Sequence, residues 1–437
     1  MPQTITVDPV IAVAGRVKIP PDKSIAHRVA ILAAFLEGEQ QIVGYPDAAD
    51  PQSTLSVLRA LGVEIDDGGG SVHIKGVGPR GFKAPDKPLD CGNSATTMRL
   101  MAGVLAGQSF SSTLTGDASL LKRPMDRIAE PLRQMGASIT LADGRAPIHI
   151  QGKPLRGITY TLPVASAQVK SCVLLAGLLA NGPTTVIERT PSRDHTERLM
   201  GLSTVDFGDG RHITVDPSET LPKRNWVIPR DFSSAAFFLA AGSIAPNATL
   251  ELNQIGLNPT RAGFLDVLRA MGARIDVFNE RSRSYEPIGD LRVYAPEKGL
   301  HGADVSGSMI PALIDEIPIL SVVAAYAQGT TTIRNASELR VKETDRLSAT
   351  AEFLSQMGAD VEELDDGLVI HGGNPLQGTT VDSRGDHRIA MAAGVAALAA
   401  YGPTTIQNAD CVDVSFPDFW KELSDMAGGG IVTPADN

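Results

Sequence analysis

Cysteine is scarce: the 437 residues contain three, Cys91, Cys172 and Cys411, far apart and without CxxC spacing. That argues against a disulfide framework or a zinc site and fits a reducing compartment, so a cytoplasmic location is expected. Positive charge is also in deficit, with a formal net charge of -11. A general nucleic-acid binder carries a basic surplus, so no nucleic-acid partner is expected. No apolar run reaches about 18 residues, and no membrane span is expected. Met1 to Ile19 has neither a basic start nor an apolar core, so no signal peptide is expected, and the charged motif from Pro20 leaves no room for a transit peptide. There is no GxxxxGK[ST] phosphate loop. Residues 76–81, GVGPRG, match GxGxxG, but Pro79, Pro85 and Pro88 prevent the helix a dinucleotide site needs, and a loop is expected there. His195 has no second histidine at metal spacing, so no metal is expected.

What is abundant is apolar residues, 43% of the chain, enough to bury large cores in two or three domains. Repetition is the strongest architectural signal. A polar start, an Ala/Leu-rich helix, Gly or Asn and a Thr-rich β run recur at 24–43, 93–114, 166–187, 233–252, 317–333 and 386–406. A second helix type ends in a Leu-x-x-Met-Gly-Ala-like stop at 58–63, 132–137, 268–273 and 354–359, where glycine suits a left-handed C-cap. The third and sixth copies of that stop, near 200–202 and 423–427, are degraded. Six copies of about 70 residues, too long for a solenoid unit, suggest three units per domain. The expected domains are 21–228 and 1–19 plus 230–437, although the strand at 11–19 could belong to either. Ile25, Val29, Leu32 and Leu36 form one apolar helical stripe, with Ser24 and Arg28 sharing another face.

Helix N-termini carry unpaired N–H groups and a positive dipole end, which makes them anion sites. Several repeats place cations, hydroxyls or amides there: PPDKSIAHR at 20–28, LDCGNSATTMR at 89–99, PVASAQVK at 163–170 and DHRIA at 386–390. Any one alone reads more simply as a solvated cap; the set together points to anion binding. ELRVKETDRL at 338–347 is dense in charge. It reads equally as an exposed helix start with ion pairs worth little, or as a proton-transfer group beside anion clamps. Glu343 and Arg346, three apart, can pair on one face.

These motifs resemble those of the 3-phosphoshikimate 1-carboxyvinyltransferase (EPSP synthase) family, over nearly the whole chain. The resemblance rests on DKSIAHR, DCGNSATTMRL, LKRP at 121–124, LPVASAQVKS, SRDHTER at 192–198, ALIDEIP at 312–318, LRVKETDRL, GDHRIAM and SFPDFW at 415–420, all in order. It implies an α/β fold of two domains, each of three βαβαββ units in an inside-out α/β barrel, with the active site in the interdomain cleft. It also implies a cofactor-independent enzyme that adds shikimate 3-phosphate to phosphoenolpyruvate and then eliminates phosphate, giving EPSP for chorismate and aromatic amino-acid synthesis. Lys23, Ser24, Arg28, Ser166, Gln168, Ser192, Asp315 and Lys342 match shikimate 3-phosphate positions. Lys23, Arg123, Gln168, Arg346 and Arg388 match phosphoenolpyruvate positions, in a pocket lined by Asn93, Ala95 and Thr96. Asp315 is assigned to the 5-hydroxyl proton, Glu343 to methylene protonation and Lys23 to the leaving phosphate.

The substrates bring roughly five to six negative charges, and Lys23, Arg28, Arg123, Lys342, Arg346 and Arg388 answer them. Ala95 stands where sensitive members carry Gly, so weak inhibition by glyphosate is expected. Ala167, His195 and Glu338 also depart from frequent family residues, and Val414 replaces a Lys found in some members, which leaves that contact open. A monomer is expected. Two other readings remain. One is the UDP-N-acetylglucosamine enolpyruvyl transferase, whose typical Cys is absent from 117–124. The other is a non-catalytic repeat protein.

Overall fold

The computed structural model describes residues 3–68, 70–218, 221–222 and 225–435. It divides into two compact units: a first of Pro21–Ile228 with Arg283–Glu286, and a second of Met1–Pro20, Pro229–Ser282 and Pro287–Asn437. The four residues Arg283–Glu286 thus depart from the expected 230–437 range. They form the tip of a hairpin whose strands are Arg274–Arg283 and Glu286–Tyr294.

In the first unit the helices are α1 (Lys23–Phe35), α2 (Ala49–Ala60), α3 (Ala95–Ala106), α4 (Asp126–Gln134), α5 (Ala167–Gly177) and α6 (His195–Met200). Polar residues cap these helices: at Ser166 as expected, but at Asp22 and Ser94 rather than at the expected starts Ser24 and Asn93. Asp22 accepts from the Ile25 amide, Ser94 from Thr97 and Ser166 from Val169, each satisfying an orphan N–H of the first turn. The Leu-x-x-Met-Gly stops hold as well: Gly62, Gly136, Gly272 and Gly358 have φ of 85°, 101°, 97° and 89°, conformations that cost an L-residue but not glycine.

Each repeat contributes one four-stranded sheet. In the middle repeat, Leu89–Asp90 runs parallel to Ser111–Thr115, which pairs antiparallel with Arg145–Gln151, itself paired with Ser138–Ala142. The third repeat has the same pattern. The first repeat takes its parallel strand from Trp226–Val227, at the far end of the unit's main segment, so the three repeats close on themselves. The segment 76–88 contains no helix, as its prolines require.

α1, α3 and α5 are not surface helices with one apolar stripe. Ala26, Ala30, Ile31, Ala33 and Ala34 are as buried as Ile25, Val29 and Leu32, so α1 packs on all sides. A single stripe does not describe it, because alanine, small and apolar, lets backbones approach from every direction. Gly103 shows how close they come. A Cβ there would lie 2.3 Å from the Cys172 carbonyl of α5, an overpacking worth about 1–3 kcal/mol or more.

The second unit repeats the plan with α7 (Phe232–Ile244), α8 (Gly263–Ala270), the short α9 (Ile310–Leu313), α10 (Ile317–Tyr326), α11 (Arg346–Gln356), α12 (His387–Ala397) and α13 (Phe419–Asp425). α7, α10 and α12 contact one another and form its centre. The chain's start completes this unit. Val13–Val17 pairs parallel with Ala248–Gly256, and Ile5–Val7 lies between Thr404–Gln407 and Val432–Pro434. That places the 11–19 strand in the second unit. The stretch Gly307–Tyr326 is long and apolar enough to cross a membrane, but Asp315 and Glu316 interrupt it and 67% of its apolar window is buried in the core. Each unit has its own hydrophobic cluster.

Candidate functional site

The sites are built where helix starts meet loops. In the first unit, Lys23 opens α1 and its Nζ lies 3.1 Å from Asp50 of α2, with both side chains mostly buried. Arg28, one turn on, is 4% exposed. It donates to Thr196 Oγ1 at 2.8 Å, to Ser171 Oγ at 2.9 Å and to the Ser24 carbonyl at 2.8 Å. The start of α3 carries a second group. Asn93 accepts from Arg123 at 2.8 Å and donates to Asp117 at 2.7 Å. Thr96 accepts from Gln168 Nε2 at 2.9 Å, while Gln168 Oε1 accepts from Arg99. Ala95 is the first residue of α3 and 6% exposed. Ser166 is the cap of α5. Ser192, buried before α6, is bound to Glu188.

The second unit gathers Asp315, Lys342, Glu343, Arg346 and Arg388. Asp315 lies 3.5 Å from Lys342, 3.4 Å from Arg346 and 4.0 Å from Arg388, and its carbonyl accepts from Arg388 at 2.9 Å. Glu343 pairs with Arg346 at 2.6 Å. Arg346, 2% exposed, also holds Asp386 at 2.8 Å, and Asp386 caps α12. Burial opposes the Arg346 charge, but Asp386, Glu343 and Asp315 outweigh it and push its pKa above the ordinary arginine value. Glu316, fully buried, lies 3.5 Å from Arg388. Among the described residues no group of three or more His, Cys, Asp or Glu is arranged to hold a metal.

The EPSP synthase (3-phosphoshikimate 1-carboxyvinyltransferase) family model matches residues 7–423. The chain belongs to the EPSP synthase family. It is 55% identical over 426 residues to the 3-phosphoshikimate 1-carboxyvinyltransferase of Salinibacter ruber, covering 96% of this chain and 98% of that one. It is 49% identical over 430 residues to that of Desulforudis audaxviator, covering 97% and 99%. A solved structure of EPSP synthase from Acinetobacter baumannii superposes with a TM-score of 0.86 at 41% identity, over 99% of this chain and all of that one.

Sequence reasoning within this EPSP synthase family missed several residues that complete the sites. Asp50, Ser171, Thr196, Asp117, Asp386 and Glu316 each contact an expected site residue. Thr196 and Asp386 lie inside SRDHTER and GDHRIAM, where a cap position was the available signal for Asp386. Asp50 sits in a stretch with no such signal. The charge count also changes. In the second unit the three cations Lys342, Arg346 and Arg388 stand against Asp315, Glu316, Glu343 and Asp386, so the protein's own carboxylates already outnumber them by one. The first unit keeps the cationic surplus, with Lys23, Arg28, Arg99 and Arg123 against Asp50 and Asp117.

Proposed function

We propose that these residues carry out the 3-phosphoshikimate 1-carboxyvinyltransferase reaction of the family. Shikimate 3-phosphate and phosphoenolpyruvate give EPSP and phosphate. The observation that supports these roles best is the second-unit cluster, where Asp315 and Arg388, 73 residues apart, meet together with Lys342, Glu343 and Arg346. Asp315 takes the proton of the 5-hydroxyl as that oxygen bonds to C2 of phosphoenolpyruvate. Glu343 delivers a proton to the methylene, which becomes a methyl group. The tetrahedral intermediate then returns a methyl proton to the Glu343 carboxylate as the C2–O bond to phosphate breaks. Lys23 stabilises the departing phosphate.

Arg346 is central to the order of events. A substrate carboxylate arriving at its guanidinium competes with Glu343 and Asp315, and displacing Glu343 releases that carboxyl group for proton transfer. Arg388, Arg123 and Gln168 complete the phosphoenolpyruvate set with Asn93, Ala95 and Thr96. Ser24, Arg28, Ser166, Ser192 and Lys342 hold shikimate 3-phosphate. The enzyme works as a monomer in the cytoplasm and binds neither membrane nor nucleic acid.

A phosphate-release assay tests the reading. Phosphate should appear only when both substrates are present. Release with UDP-N-acetylglucosamine in place of shikimate 3-phosphate, or none with the proper pair, would overturn it.

A further inference from the structure

One buried charged cluster in the first unit takes no part in the chemistry above. Lys170 of α5 is fully buried, with Nζ 2.9 Å from Glu188 and 2.7 Å from Glu197. Glu188, 1% exposed, ends the strand Thr184–Glu188. Its Oε1 accepts from the Ser192 amide at 3.2 Å and from the Ser192 hydroxyl, while Lys170 donates to the Ser192 carbonyl at 3.3 Å. Ser192 is therefore anchored at its amide, its carbonyl and its hydroxyl by the same pair. Glu197 follows Thr196 on α6, and Thr196 accepts from Arg28.

For a scaffold, this is a costly way to fill space. Two carboxylates share one ammonium away from water, and apolar side chains of similar volume are often as stable or more so. Burial, opposed by Lys170, holds the Glu197 carboxyl above its usual range. The arrangement does secure a loop residue that regular secondary structure leaves unsupported.

We infer that Glu188, held by Lys170, is a positioning residue for shikimate 3-phosphate, acting through Ser192. The inference rests on the proposed contact of Ser192 with that substrate. A phosphate group accepts hydrogen bonds, so the Ser192 hydroxyl turns from Glu188 to the phosphate when substrate arrives, while the backbone anchors keep its Cα in place. Losing Glu188 removes one competitor for the hydroxyl but also the amide anchor, and the loss of order outweighs the gain.

The experiment measures KM for each substrate and kcat in Ser192→Ala, Glu188→Gln, Glu188→Leu and Ser192→Ala/Glu188→Leu. Glu188→Leu leaves Lys170 paired with Glu197, so charge stays balanced, and Trp226 fluorescence checks the fold of this unit. Glu188→Leu should raise KM for shikimate 3-phosphate about tenfold or more, the scale of lost hydrogen bonds to a charged group. Its kcat and its KM for phosphoenolpyruvate should stay within about threefold. Glu188→Gln keeps an oxygen for Ser192 but turns its NH2 toward the Lys170 ammonium, so it should raise KM for shikimate 3-phosphate by less than Glu188→Leu does. The double variant should fall short of the product of the single effects by about threefold or more, because the two residues act together. An unchanged KM in Ser192→Ala overturns the substrate contact and this inference with it. A raised KM in Ser192→Ala beside an unchanged or lowered one in Glu188→Leu overturns the inference alone. So does a loss spread equally over both substrates and kcat.

Discussion

Replacing Arg346 with Met separates what that residue does for stability from what it does for catalysis. Its guanidinium is 2% exposed and Asp386 is fully buried, so the substitution strands a carboxylate in the core. Removing one partner of a buried pair costs about 3–5 kcal/mol. Asp386 keeps the Arg388 amide at 2.8 Å, which softens the loss, so the lower end, about 3 kcal/mol, is expected. With a urea slope of about 1–3 kcal/mol per molar, the midpoint should fall by about 1–3 M. Trp420 is the reporter, because its ring packs where α12 passes at Gly394 and its Nε1 is fixed to the Ala409 carbonyl. Trp226→Phe silences the other tryptophan. Adding Asp386→Asn removes the stranded charge and keeps a helix cap, so it should recover all but about 1–2 kcal/mol. It should not recover activity. kcat/KM for phosphoenolpyruvate should stay about a hundredfold or more below wild type, about 2.7 kcal/mol of barrier. A loss of under about 1 kcal/mol in Arg346→Met would refute the stability argument, and a double variant that regained activity would refute the role in substrate binding.

Glu343→Gln should lower kcat more than about tenfold, or 1.4 kcal/mol, while a fluorescence titration shows shikimate 3-phosphate binding largely intact; smaller loss removes the proton-transfer role. Ala95→Gly should lower the glyphosate Ki by about 5- to 150-fold, since overpacking a tight site costs about 1–3 kcal/mol, and phosphoenolpyruvate KM should change little. Equal Ki values would remove the Ala95 methyl as the cause, and tight inhibition of the wild type would refute the expected insensitivity. His27 gives a pH dependence. Burial, then Lys23 and Arg28, holds its pKa well below the usual value, so below about pH 6.5 the unfolded chain binds a proton the folded unit does not. The first unit should therefore keep this stability above about pH 6.5 and lose it as pH falls, read from the Trp226 urea midpoint in a Trp420→Phe background. His27→Gln should flatten that slope, and an unchanged slope would refute the assignment.

Local rules made much of the fold readable in the sequence. A cap acts on amides two or three residues away, so Ser166 and Asp386 could be read as helix starts, while the caps Asp22 and Ser94 lie one or two residues from the expected starts at Ser24 and Asn93. A left-handed stop depends on one residue's own backbone, so Gly62, Gly136, Gly272 and Gly358 could be read as ends. The Glu343–Arg346 pair was legible because three residues along a chain is within reach of one side chain. The partners of the other cations were not. Lys23 meets Asp50 across 27 residues, Arg28 meets Thr196 across 168, and Arg346 meets Asp386 across 40. Those separations are bridged only when the folded chain packs these helix starts together. The family resemblance alone sets six cations against the substrates' anions. Only the folded chain decides which of them already hold a carboxylate, because a Coulomb interaction depends on distance in space and not on distance along the chain.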